Sequence, residues 1–185
     1  MIKISGKIFI TIFTLFFLIG GNSVLIAQDQ IQLPSFRIRS LSGDLFDSRK
    51  HLGKPLVLSF FYTRCPPCIK EMPALYEFMS LEGRLEQLLF VDPYVKALEI
   101  NEVPDTERQI RKFVNSLNIP PERVYFDQIG TLLKKMSQGG AFPKAKRMGT
   151  LAIYPTIIVI DGSGKLILSL EGTGPGFLEI IRRVL

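Results

Sequence analysis

Apolar and polar positions divide the chain into an apolar leader and an alternating series of strands and helices. Ile8 to Ile19 is apolar apart from Thr11 and Thr14 and has no polar face, so it does not read as a helix of a globular core. Leu33 to Ser40 reads as an extended entry segment. Ser42-Gly43-Asp44 is a turn and Gly53-Lys54-Pro55 a second break. Pro55 to Tyr62 is almost continuously apolar, the pattern of a strand buried on both faces. Pro66 to about Met79 reads as a helix, with Leu75, Phe78 and Met79 at i, i+3 and i+4. Gln87 to Val91 is a second short buried strand, and Asp92 to Pro104 a loop. Thr106 and Gln109 have capping-box spacing. Ile110, Phe113, Val114 and Leu117 then form a helical stripe that Pro120-Pro121 ends. Arg123 to Asp127 is a third strand, Gln128 to Ser137 a short helix, and Gln138 to Met148 a polar, basic loop. Thr156 to Ile160 and Lys165 to Leu170 are strands joined by a hairpin at Asp161-Gly162-Ser163-Gly164, and Phe177 to Leu185 closes the chain as a helix. This alternation predicts an α/β sandwich around a mixed sheet.

The leader changes the picture of where the chain works. Lys3 and Lys7 precede the apolar run, small residues follow at Gly20, Gly21 and Ser23, and no acid appears before Asp29. A basic n-region, an apolar h-region and small residues describe a secretory signal. The stretch Ile8 to Ala27 also has about the ~20 residues of a membrane span, so a retained anchor is the rival reading. Residues 1–27 are therefore expected to be a signal peptide or anchor and 28–185 the folded domain, placed in the periplasm or otherwise outside the cytoplasm. Without Lys3 and Lys7 the formal charge falls from +6 to +4, with no basic stripe to mark a nucleic-acid binder.

Composition narrows the chemistry. The 185 residues suit one domain, and 46% hydrophobic with 22% charged residues is a globular balance. One histidine, His51, gives a catalytic triad or a multi-histidine metal site almost nothing to use. Two cysteines exclude a disulfide-dense scaffold and a four-thiolate zinc site. Both fall in one element, Cys65-Pro66-Pro67-Cys68, between a buried strand and the following helix. That is the spacing and placement of a redox dithiol. At a helix start, unpaired N–H groups and the dipole favour an anion, so Cys65 is expected to be the low-pKa nucleophile. Cys68, one turn on and more buried, would resolve a mixed disulfide. A passive structural disulfide is disfavoured because so short a loop gains little entropy by closure. Metal binding would need further soft ligands, for which Met72, Met136 and Met148 are available. A peroxidase acting through Cys65 is a third alternative.

The run from Phe60 to Pro73, FFYTRCPPCIKEMP, resembles the active-site segment of TlpA/ResA-type thioredoxin-fold proteins, which are exported thiol-disulfide oxidoreductases. Glu71, three residues after Cys68, and Pro73 fill that pattern. Tyr154-Pro155-Thr156 resembles the cis-proline motif, Val124 to Asp127 the strand before the short helix, Ile160 to Lys165 the hairpin, and Gly172 the glycine after it. Leu33 to Phe36, Gly43 and Gly53-Lys54-Pro55 match the lead-in, so the resemblance covers about residues 33–185. It implies a thioredoxin-like fold, a central mixed β-sheet flanked by helices, with an N-terminal extension and an inserted helix. The chain has no tryptophan, and Ser59 stands where thioredoxin has a buried Asp, so no carboxyl is expected at that point.

The resemblance implies Cys65, Cys68 and Glu71 as catalytic residues, with Glu71 exchanging a proton with Cys68. A solvated Glu71 paired with Lys70 or Arg111 is the plainer reading. Tyr154, Pro155 and Thr156 would meet the substrate, a cis Pro155 facing the cysteines, and Arg64 would favour the Cys65 thiolate. Pro73 should kink its helix. His51 reads as a surface residue, and Lys144, Lys146 and Arg147 as a solvated loop or a seat for an acidic partner. No metal site and no cofactor are implied. Partners would be protein disulfides or dithiols and a membrane electron donor, for a monomer that reduces disulfides, as in cytochrome c maturation, or that oxidises or isomerises them. The alternative is a copper-handling protein of the same fold serving respiratory oxidase assembly, which would need a histidine near the thiols.

Overall fold

The computed structural model describes residues 31–93, 105–150 and 152–185. The signal or anchor segment and most of the expected 92–104 loop lie outside them. An N-terminal hairpin pairs β1 (Arg37–Arg39) with β2 (Leu45–Asp47), Ile38 opposite Phe46. β2 falls between the expected turn and the expected break, where no element was read, because three residues are too few to show a period. Asp47 ties the hairpin together, accepting from Arg37 Nε at 2.8 Å and Arg49 Nη2 at 2.6 Å. These two guanidinium groups hold its carboxyl well below the usual range.

The main sheet comprises β3 (Leu56–Phe60), β4 (Leu88–Pro93), β5 (Val124–Asp127), β6 (Thr156–Ile160) and β7 (Leu166–Glu171), in the order β5-β4-β3-β6-β7. β3, β4 and β5 run parallel, while β6 and β7 are antiparallel to their neighbours. The central strands are buried throughout, as their nearly continuous apolar runs require. Strand alternation divides the core in two. Val57, Leu88, Phe90, Ile157 and Val159 face α1 (Pro66–Leu81), α2 (Glu107–Ser116) and α5 (Phe177–Arg182). Leu58, Phe60, Leu89, Val91 and Ile158 face α3 (Thr131–Gln138), α4 (Pro143–Arg147) and the hairpin.

Helix α1 continues through Pro73 to Leu81, close to its expected end near Met79. Two other helices depart from the sequence reading. Helix α3 begins at Thr131, later than expected, because the Asp127 carboxylate accepts the N–H groups of Thr131, Leu132 and Leu133 at 3.1, 2.7 and 3.2 Å. The basic segment expected to be a loop contains α4. Its first amides, those of Lys144 and Ala145, each donate at 2.6 Å to the Glu171 carboxylate from β7. Phe142 beside it meets Phe60 edge-on at 5.4 Å. The capping box at Thr106 and Gln109 is present as read.

Candidate active site

The site lies beyond the C-terminal ends of the parallel strands, where open α/β sheets leave a crevice. Phe61 N–H donates to Val91 O at 3.1 Å and continues β3 past its last paired residue. The chain then turns through Tyr62, Thr63 and Arg64 into α1. Cys65 is the N-cap of α1, with Pro66 and Pro67 at its first positions, where a missing N–H costs nothing. Cys65 and Cys68 form a disulfide with Cα atoms 5.3 Å apart. The Cys68 N–H points at Cys65 Sγ at 3.3 Å, so the helix N-terminus addresses that sulfur, where its dipole favours an anion. Cys68 was expected to be the more buried of the two, yet both are, at 1% and 0% exposure. Pro66, Pro67 and Ile69 form the exposed surface around them.

The proline segment reaches the same place from the antiparallel side. Thr156 pairs with Phe60, which puts Tyr154 and Pro155 alongside the approach to Cys65. The Tyr154–Pro155 bond is cis, and the Tyr154 ring meets Tyr62 edge-on at 5.3 Å. Thr156 is fully buried and its hydroxyl donates to Ile153 O, so its side chain belongs to the core. Gly172 N–H donates to Pro155 O at 2.9 Å and ties β7 to the proline.

Glu71 is half-buried on α1, one turn after Cys68. Its Oε2 is buried without a hydrogen-bond partner, and burial pushes its carboxyl up. Arg111, one of its expected partners, is held by Glu107 at 2.6 Å and by Leu41 O. Arg64 extends its guanidinium to Asp105 at 3.0 Å. His51 is not a plain surface residue: its ring stacks on Phe46 at 4.4 Å, and burial, then Lys54, pushes its pKa down. Phe46 belongs to the hairpin side of the sheet and the cysteines to the other, so the histidine a copper site would need is not beside them. Met72 packs with the cysteines, Met136 lies on the opposite face, and Met148 is exposed. Among the described residues no group of three or more His, Cys, Asp or Glu converges as a metal site.

Two acids escaped the sequence reading. Asp92, assigned to a loop, is the penultimate residue of β4 and 1% exposed. Asp105 accepts Thr63 N–H and Thr63 Oγ1–H, both at 2.6 Å. An acid closing an otherwise apolar run, Leu88 to Val91, was the available signal, because a parallel strand of this sheet delivers its last residue to the crevice.

The chain is 27% identical over 142 residues to the thiol-disulfide oxidoreductase ResA of Bacillus thuringiensis subsp. konkukian, covering 76% of this chain and 68% of that one. The fold of the described residues is shared with solved thioredoxin-like structures. This is a thioredoxin-fold protein similar to ResA. A secreted Mycobacterium tuberculosis disulfide oxidoreductase, homologous to Escherichia coli DsbE, superposes with a TM-score of 0.58 at 19% identity, over 86% of this chain and all (100%) of that one. The thioredoxin-like protein YneN of Bacillus subtilis is 29% identical over 93 residues, and the match spans half (50%) of each chain. No family model matches the chain.

Proposed function

We propose that this ResA-like protein is an extracytoplasmic thiol-disulfide oxidoreductase that reduces disulfides in other exported proteins, including the haem-attachment cysteines of cytochrome c maturation. The observation that carries the reading is the Cys65–Cys68 disulfide at the N-terminus of α1, opposite the cis Tyr154–Pro155 bond. In the reduced protein the Cys65 thiolate attacks one sulfur of a substrate disulfide. A mixed disulfide forms and the other substrate sulfur leaves as a thiolate that takes a proton from solvent. Cys68 then gives its proton to the Glu71 carboxylate and attacks Cys65 Sγ. The Cys65–Cys68 disulfide forms, the second substrate sulfur leaves as a thiolate that takes a proton from solvent, and Glu71 returns its proton to solvent. Two electrons have passed to the substrate, and a membrane thiol donor returns them by the same exchange in reverse.

The cis-proline segment suits a substrate strand lying along Tyr154, with Arg64 and the exposed Pro66, Pro67 and Ile69 around the sulfur. Export is supported by the basic and apolar leader at residues 1–27, with residues 28–185 as the working domain. The test is to express Cys68→Ser with its leader in a cell that makes c-type cytochromes. The variant should accumulate mixed disulfides through Cys65, with exported proteins bound, and turnover should fall to background. Absence of trapped partners, or equal trapping by Cys65→Ser, overturns the reading.

A further inference from the structure

The turn that delivers Cys65 is tied to an acidic centre that the exchange steps do not use. By strand alternation Asp92 shares the face of Leu88 and Phe90, the face on which the cysteines pack. Its Oδ2 is buried without a hydrogen-bond partner. Asp105, 4% exposed, lies within hydrogen-bonding reach of the Asp92 side chain. Two carboxyl groups can hydrogen-bond only if one of them carries a proton, and like charges sharing a buried site do not both ionise. Three donors converge on Asp105, namely Thr63 N–H, Thr63 Oγ1–H and the Arg64 guanidinium. The donors thus serve Asp105, and the proton of the pair falls to Asp92. Burial first, and then the charge of Asp105, pushes the Asp92 carboxyl well above the usual range, with Arg64 opposing.

The other titratable groups nearby leave this assignment intact. Tyr154 approaches from the proline segment as a neutral phenol, its pKa pushed well up by burial and then by Asp92. Tyr62 meets that ring. Asp127 lies opposite Pro93 on β5, and its carboxylate is engaged by the three amides of α3.

We propose that Asp92 and Asp105 are positioning residues for the exchange reaction, a carboxyl pair sharing one proton that holds the Thr63–Arg64 turn in the conformation presenting Cys65. The proposal rests on Cys65 being the attacking sulfur. When Asp92 loses its proton in alkaline solution, a second negative charge faces Asp105, competes for Arg64 and loosens the bonds to Thr63. The buried acid missing at Ser59 is thus supplied from β4, on the same face of the sheet, and it acts on the turn before Cys65.

Asp92→Asn tests this, because the amide keeps the shape, can donate to Asp105 and cannot ionise. Exchange with one disulfide substrate and hydrogen exchange of the Thr63 amide are followed from pH 6 to 10 in wild type and variant. The ratio of the two exchange rates cancels the ionisation of thiols common to both. It should be near one at pH 6, and wild type should become slower by about tenfold at the alkaline end, the scale of a small misplacement of a reacting group. Thr63 protection should fall in parallel in wild type only. A ratio that stays constant with pH overturns the proposal. If Asp92→Asn does not fold, the infrared spectrum of wild type with isotope-labelled aspartate decides: a protonated carboxyl band at pH 7 that disappears on alkaline titration supports the pair, and its absence overturns it. Loss of exchange in Cys65→Ser with a constant Asp92→Asn ratio sinks only this proposal. Exchange that survives Cys65→Ser sinks the assigned reaction, while the Thr63 and infrared readouts still report on the pair.

Discussion

The buried acids on the two faces of the sheet are treated differently. Among the described residues, every one on the hairpin side is held by donors: Asp127 by three amides of α3, Glu171 by two of α4, and Asp47 by Arg37 and Arg49. On the cysteine side Glu71 Oε2 and Asp92 Oδ2 have no partner. A carboxylate that accepts several N–H bonds is tied to the elements that donate them and stabilises the fold. One left unsatisfied is costly to ionise and is available to hold a proton. Asp105 is the exception on the cysteine side, and its saturation fits an anchor. The contrast separates a face whose buried acids are tied down by donors from one where two buried carboxyls each keep an open oxygen, although both are built from the same apolar strands.

The sharpest test crosses the two faces. Phe142→Ala removes a fully buried ring on the hairpin side and should lower unfolding free energy by about 3–5 kcal/mol in denaturant titrations. The Cys65–Cys68 redox potential should stay unchanged; a shift comparable to that of an active-site variant would break the comparison.

Glu71→Gln should do the reverse. Mixed-disulfide resolution near neutral pH should slow by about 10–100-fold in stopped-flow measurements. Stability should not fall. Because the folded carboxyl titrates above its unfolded value, the wild-type side chain favours folding most at low pH, and that contribution is lost as pH rises through the folded pKa. The Gln variant should therefore melt no lower than wild type at pH 7. Equal rates would make Glu71 a bystander.

Glu171→Ala should cost about 0.5–2 kcal/mol, the scale of a lost helix cap, and increase amide exchange at Lys144 and Ala145. Unchanged protection of those amides would remove Glu171 from the structural set.

The smallest effect belongs to His51. Its folded pKa is depressed, so the unfolded chain binds the proton more readily. Its contribution to stability is full above the unfolded pKa and declines as pH falls below it. Melting temperatures from pH 7 to 5 should show a steeper acid loss in wild type than in His51→Phe, which keeps an aromatic ring against Phe46. Parallel curves would mean that the stack does not discriminate between protonation states.

Residues close in the chain were sufficient for what local physics controls. The nearly continuous apolar runs at Leu56–Phe60 and Thr156–Ile160 specify strands buried on both sides, the Thr106–Gln109 spacing specifies a helix start, and Cys65-Pro66-Pro67-Cys68 specifies a dithiol at a helix N-terminus. Each depends on side chains within a few residues of one another, so period and spacing reveal it. Glu71 stands out as a candidate only through the motif around it, because a single acid on a helix has no period. What the tertiary structure decided comes from groups far apart in sequence. Glu171 caps α4 from 27 residues beyond Lys144, turning an apparent basic loop into a helix. Asp105 holds Thr63 across 42 residues, and Asp92 becomes a buried acid only because β4 delivers it beside that contact. Whether an acid is a solvated charge, a cap or a proton carrier is set by the donors that reach it in three dimensions, and neither composition nor periodicity encodes that arrangement.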